Sequence, residues 1–344
     1  MFLNMRFCTE IEKVEVIIFM KIGFCYDTKG DYGYAEDNLE YTDFVSLHTI
    51  SEIGKAIEQN GYELEYIGNV YKLRDQLVHN TFNCDLIFNI AEGFGSRNRE
   101  AILPSLLELY QIPHTASDTY GMSINLNKHH TKILANSIDI PTPKGVCVNT
   151  LTEEIINKIP DLGFPFILKP NTEGGSMGLH LIRSMEEFIQ QSNYLIKTYS
   201  FELLAEEYIE GSEITVPIIG NGEKAEALGV VTILNEDGTD INLYNNSLKQ
   251  IDNVINTTTF KYGDELKKKI MDYSVRIHNF FGLYDYSRMD FRISQDGQPY
   301  FLEINAMPSL CRDCSFEQCG KLAGMTYYQI IGRIIESARM RYGI

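Results

Sequence analysis

The stretch from Tyr284 to Pro308, YDYSRMDFRISQDGQPYFLEINAMP, concentrates residue types that could do chemistry. It reads as two strands joined by a turn at Asp296-Gly297. Side chains alternate faces along a strand, so Arg288, Asp290 and Arg292 share one face of the first. By the same rule Glu303 and Asn305 share one face of the second. Two carboxylates, an amide oxygen and a guanidinium are thereby offered together. Such an all-oxygen set suits Mg²⁺, which keeps some waters and takes other ligands from substrate phosphates. A salt-bridged edge hairpin would carry the same residues. The rest of the chain has to decide.

Further candidates lie upstream. In PFILKPNTEGGSMGLHLI, Lys169 stands at a strand end ahead of Glu173, Gly174, Gly175 and Ser176. Glycines there let backbone N–H groups approach phosphate oxygens without Cβ interference. The segment is not a Walker A loop, because the lysine precedes the glycines and no GK[ST] follows. A plain hairpin turn is the alternative. LLAEEYIEGSEITVPIIG places Glu206 and Glu207 before Gly211 and Glu213 after it. That acidic turn could line a purine slot and meet ribose hydroxyls, or be ordinary surface. Lys128 and Lys132 fall one turn apart on a helix, and Glu92 follows an apolar strand with Arg97, Arg99 and Glu100 in the same loop.

The elements that must position these residues follow from periodicity. From Lys21 to about Asp118 strands alternate with helices: KIGFC, the helix marked by Leu47, Ile50, Ile53 and Ile57 that stops at Asn60-Gly61, YELEYIG, a polar helix through Leu77, DLIFNI and AILPSLLELY. This is an α/β unit with a mostly parallel sheet, whose ligands sit at the carboxyl ends of strands. Glu92 occupies such a position. A second unit opens near Ser123 with a helix ended by Pro141 and Pro143, followed by the strands around Lys169 and Gly211. Residues 235–259 read as a polar, irregular, mobile functional loop in which Lys249 is the only cation. A helix from Lys261 and a terminal helix flank the opening hairpin. The expected divisions are 1–19 as an extension or mis-called start, 20–122, 123–210 and 211–344.

Length and charge bound the rest. The 344 residues allow two or three domains, and 30 Lys+Arg against 47 Asp+Glu give a net charge of −17. That balance argues against nucleic acid or an anionic membrane as partner. No apolar run reaches the length of a membrane span. Seven cysteines, an odd number without an export signal, read as reduced thiols in the cytoplasm. Cys311, Cys314 and Cys319 could be three ligands of a zinc or iron–sulfur site, but free thiols are the expectation, since no fourth ligand lies at a recognisable spacing.

Five segments, NLNKHHTK, PFILKPNTEGGSMG, LAEEYIEGSEITV, SRMDF and FLEINAMP, resemble in their order the ATP-grasp superfamily, and within it the D-alanine–D-alanine ligase family. The resemblance implies an ATP-grasp fold, α+β in its ATP-binding part, behind an N-terminal Rossmann-like domain. It implies that Lys128 and Lys169 contact ATP phosphates while the loop of Glu173, Gly174, Gly175 and Ser176 closes over them, Ser176 at its tip. Glu206, Glu207, Tyr208 and Ile209 would hold adenine and Glu213 the ribose. Asp290, Glu303 and Asn305 would bind two Mg²⁺ ions, with Mn²⁺ as a substitute. Arg288 would stabilise an oxyanion, Lys249 would reach the γ-phosphate, and Ser315 is near the grip on the second amino acid's carboxylate. Glu92 stands where the family carries a histidine-glycine turn for its first substrate.

The implied activity is an ATP-dependent carboxylate–amine ligase acting through an acyl phosphate, foremost D-alanyl-D-alanine synthesis for peptidoglycan. A homodimer acting on small amino-acid-like substrates in the cytoplasm goes with it. This chain departs from the family in a long acidic insertion before Val45-Ser46-Leu47, in Glu92-Gly93, in Gln250 after the loop lysine and in Pro308-Ser309 after the metal asparagine. Those departures keep two alternatives in play. One is a ligase of a specialised pathway with another substrate pair, including a carrier-protein acceptor. The other is a non-catalytic ATP-binding regulator.

Overall fold

A computed structural model of the chain describes residues 20–35, 44–174, 178–199, 202–241 and 254–344. The first unit alternates as its periodicity predicts: β1 (Lys21–Tyr26), α1 (Leu47–Gln59), β2 (Glu63–Gly68), α2 (Val70–Val78), β3 (Leu86–Ile90) and α3 (Arg99–Leu109). The strands form a parallel sheet in the order β2-β1-β3. β3 is buried along its whole length, as a strand covered on both faces must be. Ser46 caps α1 by accepting the Thr49 N–H at 3.2 Å, and Ile50, Ile53 and Ile57 form its buried stripe.

Two short helices follow, α4 (Thr119–Asn125) and α5 (Lys128–Asn136). The helix expected from Ser123 is thus interrupted at Asn127, whose side chain caps α5 by accepting the His130 N–H at 2.9 Å. Next comes a four-stranded antiparallel sheet in the order β4-β7-β5-β6. It is built from β4 (Gly145–Val148), α6 (Glu153–Lys158), β5 (Phe166–Pro170), β6 (His180–Ile182), α7 (Met185–Tyr199) and β7 (Leu203–Glu207). It encloses its own core around Phe166, Leu168, Phe188 and Leu203.

The third sheet contains β8 (Gly211–Ile219), β9 (Glu226–Ala227), β10 (Val231–Asn235), β11 (Val254–Thr257), β12 (Tyr286–Ser294) and β13 (Pro299–Asn305). Its order is β11-β10-β8-β12-β13, with β9 on β8, and every pairing is antiparallel. Helices α8 (Asp264–Phe280), α9 (Ser315–Leu322) and α10 (Tyr327–Tyr342) complete the chain. One apolar cluster joins this sheet to the first: Ile53 and Ile57 of α1 meet a core that includes Phe291, Phe301, Ile331 and Ile335.

Two expectations are corrected. Residues 254–257 lie in the stretch read as irregular, yet they pair with β10. An edge strand satisfies its backbone on one side without any apolar alternation, so no periodicity announced it. Cys311 and Cys314 form a disulfide rather than staying free; a turn with Asp313 at φ +61° brings their Cα atoms to 5.5 Å. Cys319 is free and fully buried inside α9. Among the described residues, no three His, Cys, Asp or Glu side chains gather to hold a metal.

Gly211 opens β8 at φ +148°, and a Cβ there would sit 1.9 Å from the Ile293 carbonyl oxygen. Its own carbonyl accepts an Arg292 N–H at 2.7 Å. Gly211→Ala should therefore cost about 2–4 kcal/mol, read as a lower urea midpoint at unchanged slope. A midpoint equal to that of the parent chain would show that the strand pair yields without strain.

Candidate functional site

Antiparallel register settles the hairpin. Arg288 lies opposite Asn305 and Asp290 opposite Glu303. All four side chains are on one face, as alternation predicts. Arg288 grips Asp290 with two bonds, Nε to Oδ1 at 2.9 Å and Nη2 to Oδ2 at 2.8 Å. Asn305 Nδ2 donates to Asp290 Oδ2 at 2.9 Å, and Thr215 on β8 donates to Oδ1 at 2.7 Å. Two carboxylates and an amide make an incomplete shell of hard oxygen donors. That fits a divalent cation whose remaining ligands come from phosphates and water.

The lysines converge from other elements. The start of α5 is fastened to the loop after β5: Asn171 accepts the His129 N–H at 2.9 Å and donates to Asn127 at 3.1 Å. That aims Lys128 Nζ at the Glu173 carbonyl oxygen, 2.6 Å away, and at Glu303 Oε2, 3.3 Å away. Lys169 from β5 meets Glu206 Oε1 at 2.5 Å, while Lys132 meets Oε2 at 2.8 Å. Burial opposes ionisation of Glu303, but Lys128, Lys169, Lys132 and Arg288 outweigh it and hold its carboxyl well below the usual range. Glu206 is held down against burial by Lys132 and Lys169. Burial pushes Lys132 down to about 8, against the pull of Glu206.

Two cavities open on this face. The first lies between the second and third sheets and is lined by Lys169, Glu206, Glu207, Tyr208, Ile209, Glu213, Arg292, Leu302 and Glu303. Arg292 shapes it, bonding the Gly211 and Ile241 carbonyls at 2.7 and 2.8 Å and stacking over Tyr208. The second cavity, about 350 Å³, is lined by Ser46, Glu92, Glu100, Asn125, Gly174, Arg288, Asn305 and Ser309 among others. Glu92 sits on a loop held from behind by buried Asp27, which accepts the Gly93 N–H and the Tyr32 hydroxyl, both at 2.8 Å.

The geometry thus brings together Lys128, Lys169, Glu206, Glu207, Tyr208, Ile209, Glu213, Arg288, Asp290, Glu303 and Asn305, with Glu92 and Gly174 at the second cavity and Glu173 beside Lys128. Ser315 is buried in the first turn of α9 and lines neither cavity. Gly175, Ser176 and Lys249 lie outside the described residues. Sequence reasoning missed Thr215, Asn125 and Asp27, and gave no role to Arg292 or Lys132. Thr215 owes its place to register with Asp290 on a distant strand, which no local pattern encodes. The i, i+4 pair Lys128/Lys132 carried a signal, but helical spacing alone cannot say that both point inward.

Comparison with known proteins agrees. The family model for the D-ala D-ala ligase C-terminus matches residues 137–336, more than half of the chain. D-alanine–D-alanine ligase of Aquifex aeolicus is 29% identical over 298 residues, covering 85% of this chain and 94% of the relative. An uncharacterised protein, y4sG of Sinorhizobium fredii, is 31% identical over 75% of each chain. The crystal structure of D-alanine–D-alanine ligase from Bacillus anthracis complexed with ATP superposes with a TM-score of 0.75 at 22% identity, covering 95% of this chain and 99% of that one. VanG D-Ala:D-Ser ligase from Enterococcus faecalis gives 0.72 at 18% identity, covering 93% and 100%. The fold is therefore the ATP-grasp fold, and the chain belongs to the D-alanine–D-alanine ligase family of ATP-dependent, ADP-forming ligases.

Proposed function

We propose that the protein joins two D-alanine molecules, consuming ATP through an acyl phosphate. The observation that carries the reading is that one hairpin face serves both cavities: Arg292 and Glu303 line the first, Arg288 and Asn305 the second. A nucleotide in the first cavity would direct its terminal phosphate across that face toward a carboxylate in the second. The family's ATP and divalent metal enter on these terms.

The residues divide the work accordingly. Glu206, Glu207, Tyr208 and Ile209 form the adenine wall, and Glu213 lies at the ribose position. Lys128 and Lys169 meet phosphates beside Glu173 and Gly174; the family resemblance adds Gly175 and Ser176 to the phosphate contacts and Lys249 to the γ-phosphate, and these three lie outside the described residues. Asp290, Glu303 and Asn305 would hold Mg²⁺, two ions in our reading, which neutralises phosphoryl charge when bound. A carboxylate oxygen of the first substrate takes the γ-phosphoryl group and ADP leaves. The amine of the second attacks the acyl carbon, Arg288 stabilises the tetrahedral oxyanion, and phosphate departs. Glu92 and Glu100 supply negative charge for a substrate ammonium. Ser309, which lines the second cavity, suits the acceptor carboxylate better than the buried Ser315.

The three sheets support domains of residues 20–122, 123–210 and 211–344. Among the described residues no helix is long and apolar enough to cross a membrane, which accords with work in the cytoplasm. A homodimer is expected from the family. The altered loop Glu92-Gly93 favours, as a second reading, a ligase with another amino-acid pair.

Phosphate release from Mg-ATP with D- and L-amino acids, singly and in pairs, tests the substrate. Release stimulated by D-alanine alone supports dipeptide synthesis, whereas release with a different pair keeps the chemistry and moves the substrate. Asn305→Ala should lower kcat at least a hundredfold with an unchanged melting temperature; full turnover would remove the metal assignment. Lys169→Ala should weaken binding of a non-hydrolysable ATP analogue tenfold or more by calorimetry. Equal affinity would put the phosphates elsewhere.

A further inference from the structure

Among the described residues, Glu206 is the only carboxylate of the first cavity that two lysines share at both oxygens. Its side chain is 4% exposed, Lys169 stands 2.5 Å from Oε1, and Lys132 stands 2.8 Å from Oε2. The two lysines are not equivalent. Lys169 lines the cavity; Lys132 does not. Lys132 lies behind the carboxylate with its side chain 4% exposed, and it also donates to the Leu302 carbonyl oxygen at 2.6 Å. That second bond ties it to β13 and leaves it no route to a ligand. Nearby charges are Glu303, Lys128, Glu213 and Arg292, with His129 on the same helix.

In a site with one lysine, an incoming phosphate would have to pull that lysine off a buried carboxylate. Leaving a buried carboxylate without a counter-charge is among the larger electrostatic penalties in proteins. With two lysines the penalty disappears, because the rear cation keeps Glu206 neutralised while the front one turns to the phosphate. We propose that Lys132 is a positioning residue for nucleotide binding: it serves as the standing counter-ion of Glu206, so that Lys169 can be handed from Glu206 to a nucleotide phosphate. The inference rests on the nucleotide reading of the first cavity. It adds a role for a residue that touches no substrate, and it treats the Lys169–Glu206 contact as the resting arrangement.

The measurement is the ratio of adenosine to ATP dissociation constants, which isolates what the phosphates contribute. Competition against a fluorescent ATP analogue, with no amino acid present, gives both constants. Lys132→Met should lower the ratio at least tenfold, because Lys169 stays on Glu206, while adenosine affinity changes little. Adding Glu206→Gln to the same chain should restore the ratio, since the acid that detains Lys169 is gone. Lys132→Met in a Lys169→Met background should have no further effect on it. An unchanged ratio in Lys132→Met, or one that Glu206→Gln does not restore, would overturn the inference and leave Lys132 as packing. Should Lys132→Met not fold, Glu206→Gln alone decides: the ratio must rise or hold, and a fall overturns the hand-over. A parent chain that binds neither ATP nor adenosine would instead remove the nucleotide reading itself.

Discussion

Charge neutralisation in a half-closed cleft is the constraint on which this site depends. Lys128, Lys132, Lys169 and Arg288 stand against Glu206, Asp290 and Glu303, most of them well removed from water. None could keep its charge there alone, because transferring an isolated ion into a weakly polar interior costs several kcal/mol even after relaxation. Each is tolerated because it has a partner: α5 supplies two lysines, β5 a third, β7 a glutamate and β13 Glu303, while Arg288 and Asp290 pair within β12. The site is therefore as much a condition of the fold as a product of it. Docking of α5 onto the Asn171 loop is what brings opposite charges within reach.

The same arrangement suits a polyanionic triphosphate chain and a divalent ion. Cations concentrate toward the second sheet, while Asp290, Glu303 and Asn305 lie on the third. A ligand with anionic oxygens on one side and a metal on the other would replace internal pairs by external ones at little net cost in charge. Asp290, which Arg288 holds with two bonds, would be among the residues to hold such an ion, and Arg288 would then be free to face the reacting group. Preorganisation of this kind places compensation where charge develops, so that little reorganisation is left to the chemical step.

Much of this was legible in the sequence, and what was not has a physical reason. Strand alternation gave the shared face of Arg288, Asp290 and Arg292, and the strand register adds only which residue faces which. Apolar stripes in α1 and β3 announced the parallel first sheet. The disulfide at Cys311 depended on a turn with Asp313 in the left-handed region, and β11 depended on backbone pairing at an edge; neither leaves a side-chain pattern. Helical spacing placed Lys128 and Lys132 together but could not distinguish a solvated pair from a buried one. That distinction came from Glu206, some seventy residues away.

The second cavity shows where family membership stops determining chemistry. Its wall toward the hairpin is Arg288 and Asn305. Its opposite wall is Ser46, Glu92, Glu100 and Asn125, contributed by the first unit. Asp27 fixes the Glu92 loop through Gly93, whose φ of +68° and closeness to the Arg99 carbonyl exclude a side chain. Burial raises the Asp27 carboxyl while the Gly93 N–H and the Tyr32 hydroxyl work against that shift, so the contact is a directional bond rather than a solvated charge. On the proposed reading, substrate choice falls to this loop, which Asp27 holds from behind and which Arg99, just after it, ties to the Thr172 carbonyl at 3.1 Å. If the substrate pair differs from two D-alanines, that reading puts the difference at the Glu92 wall rather than on the hairpin face that carries Arg288 and Asn305.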